Sequence, residues 1–327
     1  MTRFFKSPLV RLAIGLAASA LLLYLAFRTT TFVEVWDVLS QANLWWVLAA
    51  FLSVAANNLF KVLRWQVMLG PPGRTVQFPD LLMSNLSGQM LNAVLPVRVG
   101  DLSRAYVIGG KGPGRAFVFG TVILEKIVDL FWFALLFLLL LLLIPLPGWV
   151  NNSAWFLAVT ALVMGLLTFV MAAQRQRLLS IFERMIRRLP EKWRTYLITR
   201  LHSGLDSLDV LQQRADLIKI AAWSSVIWTT ALLTNQFILL ALGIHLDLSA
   251  SLLILVALIV GISVATVPGR IGVFEWICVL TLGLYGVAQA PALGYGLLLH
   301  AVVYAPLVLA GVISFFVLSR GKQSPGS

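Results

Sequence analysis

The chain has 327 residues, 60% of them hydrophobic and 12% charged, with a formal net charge of +12. Soluble domains carry about 25% charged and 45–50% apolar residues, so a water-soluble fold is excluded. The excess of basic residues points to the anionic surface of a bilayer, and nucleic acid is not expected as a partner.

In chain order, apolar runs predict membrane-spanning helices over roughly 9–27, 43–68, 115–144, 153–173, 217–243 and 292–318. Each approaches or exceeds the length needed for a hydrocarbon core of about 30 Å. The first run follows Arg3, Lys6 and Arg11 as a secretory signal would, but its length and the lack of a small-residue cleavage site predict a retained helix. Two further apolar stretches, 78–110 and 248–288, are each interrupted near the middle by Pro and Gly. They read as re-entrant hairpins or pairs of short helices, because broken helices are tolerated at membrane depth only against protein or a wet cavity. Two ordinary spans per stretch are the alternative. The expected fold is an all-α polytopic helix bundle, with about six full spans plus two broken or re-entrant hairpins, or eight spans if these cross.

The basic residues fall unevenly. Of the 25 Lys and Arg, 22 lie in 1–11, 61–74, 98–115, 174–219 and beyond 318, while the connections 29–42, 145–152, 244–247 and 287–293 hold none. The positive-inside rule then puts both termini and segment 174–219 in the cytoplasm. That segment mixes Leu178, Ile181, Phe182, Met185 and Ile186 with Arg177, Arg184, Arg187 and Arg188, an amphipathic helical pattern suited to the inner leaflet surface.

The two interruptions are related. Leu95-Pro96-Val97-Arg98-Val99-Gly100 and Val267-Pro268-Gly269-Arg270-Ile271-Gly272 both read apolar-Pro-x-Arg-β-branched-Gly. The whole chain is therefore expected to be one membrane domain, with a first repeat over 43–144, a linker span and basic segment over 145–216, and an inverted second repeat over 217–318. Inverted repeats with discontinuous helices are a recurrent transporter plan.

Chemistry follows from the breaks. Pro96 and Pro268 stop a helix, and Gly100 and Gly272 let the chain turn and restart one. A restarted helix offers free N–H groups, and Arg98 and Arg270 stand beside those ends, which together suit a phosphate or carboxylate. Arg104 and Asn92 complete the candidate substrate contacts. Asp101 is placed to cap the helix after Gly100, and Glu275 follows the second break. Glu125 and Asp129 lie four apart on one helix face; they need a cation such as Arg98 or Arg270 between them, or a proton on one of them. These four carboxylates are the candidates for charge balance or proton coupling. Lys61 and Arg64 are expected to anchor the end of the second span, with cytoplasmic headgroup contact as a second role. His300 and Tyr304 form an i, i+4 pair in the last span, suited to an interhelical hydrogen bond. With one cysteine, Cys278, no disulfide or cysteine-based zinc cluster can form within the chain. No P-loop is present, and no metal or cofactor is expected.

Taken in order, Asn92-x-x-Leu95-Pro96-x-Arg98-x-Gly100-Asp101-x-x-Arg104, Glu125-Lys126-x-x-Asp129 and Pro268-Gly269-Arg270-Ile271-Gly272-x-x-Glu275 resemble the flippase-like membrane region of the lysylphosphatidylglycerol synthase family. The resemblance implies an integral inner-membrane protein of bacteria and the translocation of a lipid between leaflets. Stand-alone relatives are associated with phospholipid, hopanoid or polyprenyl-linked pathways, and the synthase's aminoacyl-transfer activity is not expected here. The expected function is a flippase for a lipid or lipid-linked headgroup. A membrane-embedded transferase, or an accessory subunit partnering a lipid-biosynthesis enzyme, is the alternative.

Overall fold

The computed structural model describes residues 8–95, 99–143, 190–264 and 268–320, with isolated positions between 155 and 185. The expected span over 153–173 and the amphipathic segment ahead of residue 190 lie, apart from those positions, outside the described residues, as does Arg98.

Eleven helices are described. They are α1 (Pro8–Phe27), α2 (Phe32–Ser40), α3 (Leu44–Leu69), α4 (Phe78–Val94), α5 (Val99–Gly109), α6 (Arg115–Leu143), α7 (Glu191–Asp206), α8 (Arg214–Ala241), α9 (Leu248–Val264), α10 (Val273–Gly283) and α11 (Gln289–Arg320). No strand occurs among the described residues. Four helices, α3, α6, α8 and α11, are long and apolar enough to cross a membrane, and α1 bends by 75° into α2.

The two interrupted stretches are each broken near the middle, after Val94 and after Val264. Each yields a 17-residue helix followed by an 11-residue helix, α4 with α5 and α9 with α10. An 11-residue helix is about 16 Å long, half the hydrocarbon thickness, so α5 and α10 cannot span alone. The order long, 17, 11, long thus occurs twice, as α3–α6 and as α8–α11.

One helix falls in a segment expected to be a plain connection. α2 starts at Thr31, whose hydroxyl accepts from the Glu34 amide while the Glu34 carboxylate accepts from the Thr31 amide. This reciprocal cap satisfies two otherwise orphaned donors and is written in the sequence as Thr-x-x-Glu.

The chain packs as two compact units, Met1–Asn57 with Gln89–Arg98 and Thr229–Val312, and Asn58–Gly88 with Val99–Trp228 and Ile313–Ser327. The first unit is built on a core that includes Ala50, Val54, Ile238, Leu258, Phe274 and Leu299. Polar side chains tie its helices: Ser53 donates to the Thr230 carbonyl at 2.8 Å, Asn57 donates to the Thr230 hydroxyl at 2.9 Å, and Tyr295 donates to Asn235 Oδ1 at 2.9 Å. The second unit packs Val62, Trp65, Met68, Ile108, Val118 and Leu124 into its own core.

Candidate functional site

Among the described residues, a cluster of buried or half-buried charged side chains lies within each unit. In the second unit the cluster is built from α3, α5, α6 and α8. Arg104 on α5 is buried and meets Glu125 on α6 through two bonds, Nη2 to Oε2 at 2.7 Å and Nη1 to Oε1 at 3.3 Å. Its guanidinium carbon lies 4.1 Å from the Trp65 ring centroid, and the Trp65 indole donates to the Thr121 hydroxyl at 3.0 Å. The aromatic face and the carboxylate together neutralise this cation. Its aliphatic stem crosses α4 at Gly88, where an added Cβ would stand 2.7 Å from Arg104 Cγ and 3.0 Å from the Gly100 carbonyl oxygen.

One turn along α6, Asp129 takes Arg64 of α3, Nη1 to Oδ1 at 2.7 Å, and the same nitrogen donates to Ser224 on α8 at 3.0 Å. Lys126, on another face of α6, lies 3.5 Å from Asp101. Alongside, an apolar cavity of about 290 Å³ is lined by Leu124, Val128 and Phe131 of α6 and by Leu217, Ile220 and Ala221 of α8.

Three expectations change here. Among the described residues, the cations that pair with Glu125 and Asp129 are Arg104 and Arg64, which the sequence does not single out for that role. Arg64 is fully buried and committed to a carboxylate instead of reaching the membrane surface. Gly100 is the second residue of α5 and has no left-handed backbone, so the turn before α5 does not depend on it. Asp101 lies in the first turn of α5, Asn92 is half-buried near the end of α4, and Lys61 is half-buried one turn ahead of Arg64.

The first unit's cluster surrounds the second break. Gly269, Arg270 and Gly272 all have positive φ, 67°, 59° and 84°, which turns the chain sharply between α9 and α10. Ser19 of α1 donates to the Ile271 carbonyl and holds the elbow from one side. Arg270 is half-buried and donates to the Tyr304 hydroxyl on α11. Glu275, buried on α10, accepts the Gly272 amide at 2.6 Å with one oxygen and meets His300 Nδ1 on α11 at 2.6 Å with the other. His300 is flanked by the rings of Phe274 and Tyr304, at 4.7 and 4.6 Å between centroids.

This geometry alters the expected anion grip. The helix start after the second break is already complemented by its own Glu275, so its leading amide is not free for a ligand. What stands open is Arg270. Among the described residues it has no carboxylate within ion-pair distance, while both arginines of the other cluster do.

Gly88, Trp65, Thr121 and Ser224 carry no pattern that marks them as partners of charged residues. Tyr304 was legible as the i+4 neighbour of His300, but not as the partner of Arg270.

The model of the lysylphosphatidylglycerol synthase TM region matches residues 12–311 of the chain. The chain belongs to that family. Comparison with curated proteins gives no match. As a member of the lysylphosphatidylglycerol synthase TM family with several apolar helices, it is a multi-pass membrane protein, and the family points to lipid metabolism or transport.

Proposed function

We propose that this protein is a translocase of the bacterial cytoplasmic membrane. It moves a phospholipid, or a polyprenyl- or hopanoid-linked lipid, whose anionic headgroup is held at the Arg270 elbow while the apolar tails stay in the bilayer. The observation that carries this reading is the state of Arg270: a half-buried guanidinium whose described partner is a phenol, with no described carboxylate in ion-pair range. An intramembrane charge costs a few kcal/mol and persists where it has a task, and an oxyanion is the partner that completes it. The distribution of Lys and Arg supports both termini on the cytoplasmic side. The short helices α5 and α10 support re-entrant elbows rather than added spans, which is how transporters bring backbone breaks to a substrate.

The test is reconstitution into phosphatidylcholine vesicles carrying fluorescent phosphatidylglycerol, phosphatidylethanolamine or a polyprenyl phosphate. Transbilayer movement is followed by quenching of the outer leaflet. The wild-type protein accelerates at least one of these lipids; Arg270→Ala slows it by about tenfold or more, and Arg270→Lys keeps part of the rate. Equal rates for wild type and a folded Arg270→Ala variant with every lipid overturn the reading.

A further inference from the structure

Two side chains one turn apart on α11 grip the same elbow. Tyr304 accepts from Arg270, and His300 meets Glu275, whose other oxygen holds the Gly272 amide. The elbow therefore contains one fixed cation, one carboxylate engaged at both oxygens, and one imidazole of the kind that changes charge between pH 5 and 8. The other titratable groups on the elements around it are the Tyr304 and buried Tyr295 phenols and Arg320 of α11, the buried Cys278 thiol of α10, and Arg11 and Tyr24 of α1. α9, which packs along α10, has no titratable side chain, and α1 meets the elbow through Ser19.

Charge counting makes the imidazole significant. With His300 neutral, Arg270 and Glu275 sum to zero, and a bound oxyanion leaves one uncompensated negative charge inside an apolar surround. Such a charge is strongly penalised there. One proton on His300 restores neutrality. The imidazole is placed to receive it: Nδ1 lies 2.6 Å from Glu275 Oε1, so an ionised Glu275 takes the proton of Nδ1 as a hydrogen bond and leaves Nε2 for the incoming proton, with the Phe274 and Tyr304 rings alongside.

We propose that a proton is the second substrate of this site, bound at Nε2 of the His300–Glu275 pair together with the anionic headgroup and released with it, a proposal that rests on Arg270 as the headgroup contact. Headgroup binding and proton binding then favour each other by the same factor. Lipid movement is coupled to the proton gradient across the membrane.

The experiment uses the full chain in detergent micelles with two probes, dihexanoylphosphatidylglycerol and dimethyl phosphate. Both are phosphodiesters whose own charge is constant over the range used, so proton uptake belongs to the protein. Calorimetric titration in two buffers of different ionisation heat gives the protons taken up per bound probe. The expected result is about one proton per probe, with affinity falling about tenfold for each pH unit between pH 6 and pH 8. His300→Gln keeps an N–H toward Glu275 but cannot take a proton; its affinity becomes independent of pH and its uptake falls to zero. Glu275→Gln, which removes the anchoring charge, loses the same pH dependence and serves where His300→Gln does not fold.

Arg270-dependent binding without proton uptake, or undiminished uptake in folded His300→Gln, overturns the proton site and leaves the headgroup reading standing. No Arg270-dependent binding of either probe removes the headgroup reading and the proton site with it. Proton uptake with either probe supports the proposal, and the dimethyl phosphate arm separates recognition of a free phosphodiester from recognition of a lipid.

Discussion

Arg104 and Glu125 meet fork to carboxylate, Nη2 2.7 Å from Oε2, with both side chains buried and the guanidinium lying over Trp65. Such a pair holds only while both members are present, because removing one leaves the other charged and dry. Arg104→Met is expected to destabilise the protein by about 3–5 kcal/mol, whereas the double variant Arg104→Met/Glu125→Leu recovers most of that loss. Unfolding curves in detergent measure both. A single variant no worse than the double one shows that the pair does not hold this cluster.

Gly88 is the seat of that arginine. Alanine there places a methyl against the Arg104 stem and the Gly100 carbonyl oxygen, and the latter is backbone that cannot step aside. A loss of about 1–3 kcal/mol is expected for Gly88→Ala, read as a lowered melting temperature. An unchanged melting temperature refutes the close crossing of α4 and Arg104.

Gly272 combines a φ of 84° with a Cβ position that collides with the Ser19 carbonyl. Gly272→Ala therefore costs strain and displaces α1 from the elbow, about 1–3 kcal/mol in stability. Since Arg270 is two residues away, the same variant reduces lipid movement. Normal melting and normal transport together would contradict the observed backbone.

The Tyr295–Asn235 hydrogen bond joins α11 to α8 within the apolar core of the first unit. Interhelical bonds of this sort average about 0.6 kcal/mol, since the unfolded chain in the membrane also finds partners. A double-mutant cycle of Tyr295→Phe and Asn235→Ala is expected to return a coupling energy of about that size. A coupling near zero means the two side chains are not bonded.

Particular residues mark where sequence reading stops. Pro96 and Pro268, with the glycines after them, predict both breaks. Thr31-x-x-Glu34 spells the start of α2, although a segment without basic residues reads first as a plain connection. Glu125 and Asp129 share a helix face at any i, i+4 spacing. Yet nothing along the chain distinguishes Arg98, Arg104 and Arg270 as partners for them, and Arg64 reads as a surface anchor because it stands near the end of an apolar run.

Hydropathy and helix period are local quantities, so the amino-acid order alone determined a helical membrane protein, its long apolar helices α3, α6, α8 and α11, its two interrupted stretches and the recurring motif within them. Ion pairing depends on distances of about 3 Å between side chains on different helices, a quantity that spacing along one helix does not contain. Only the tertiary structure decided that Glu125 and Asp129 neutralise Arg104 and Arg64, that Glu275 closes its own helix start, and that Arg270 faces a phenol and no described carboxylate.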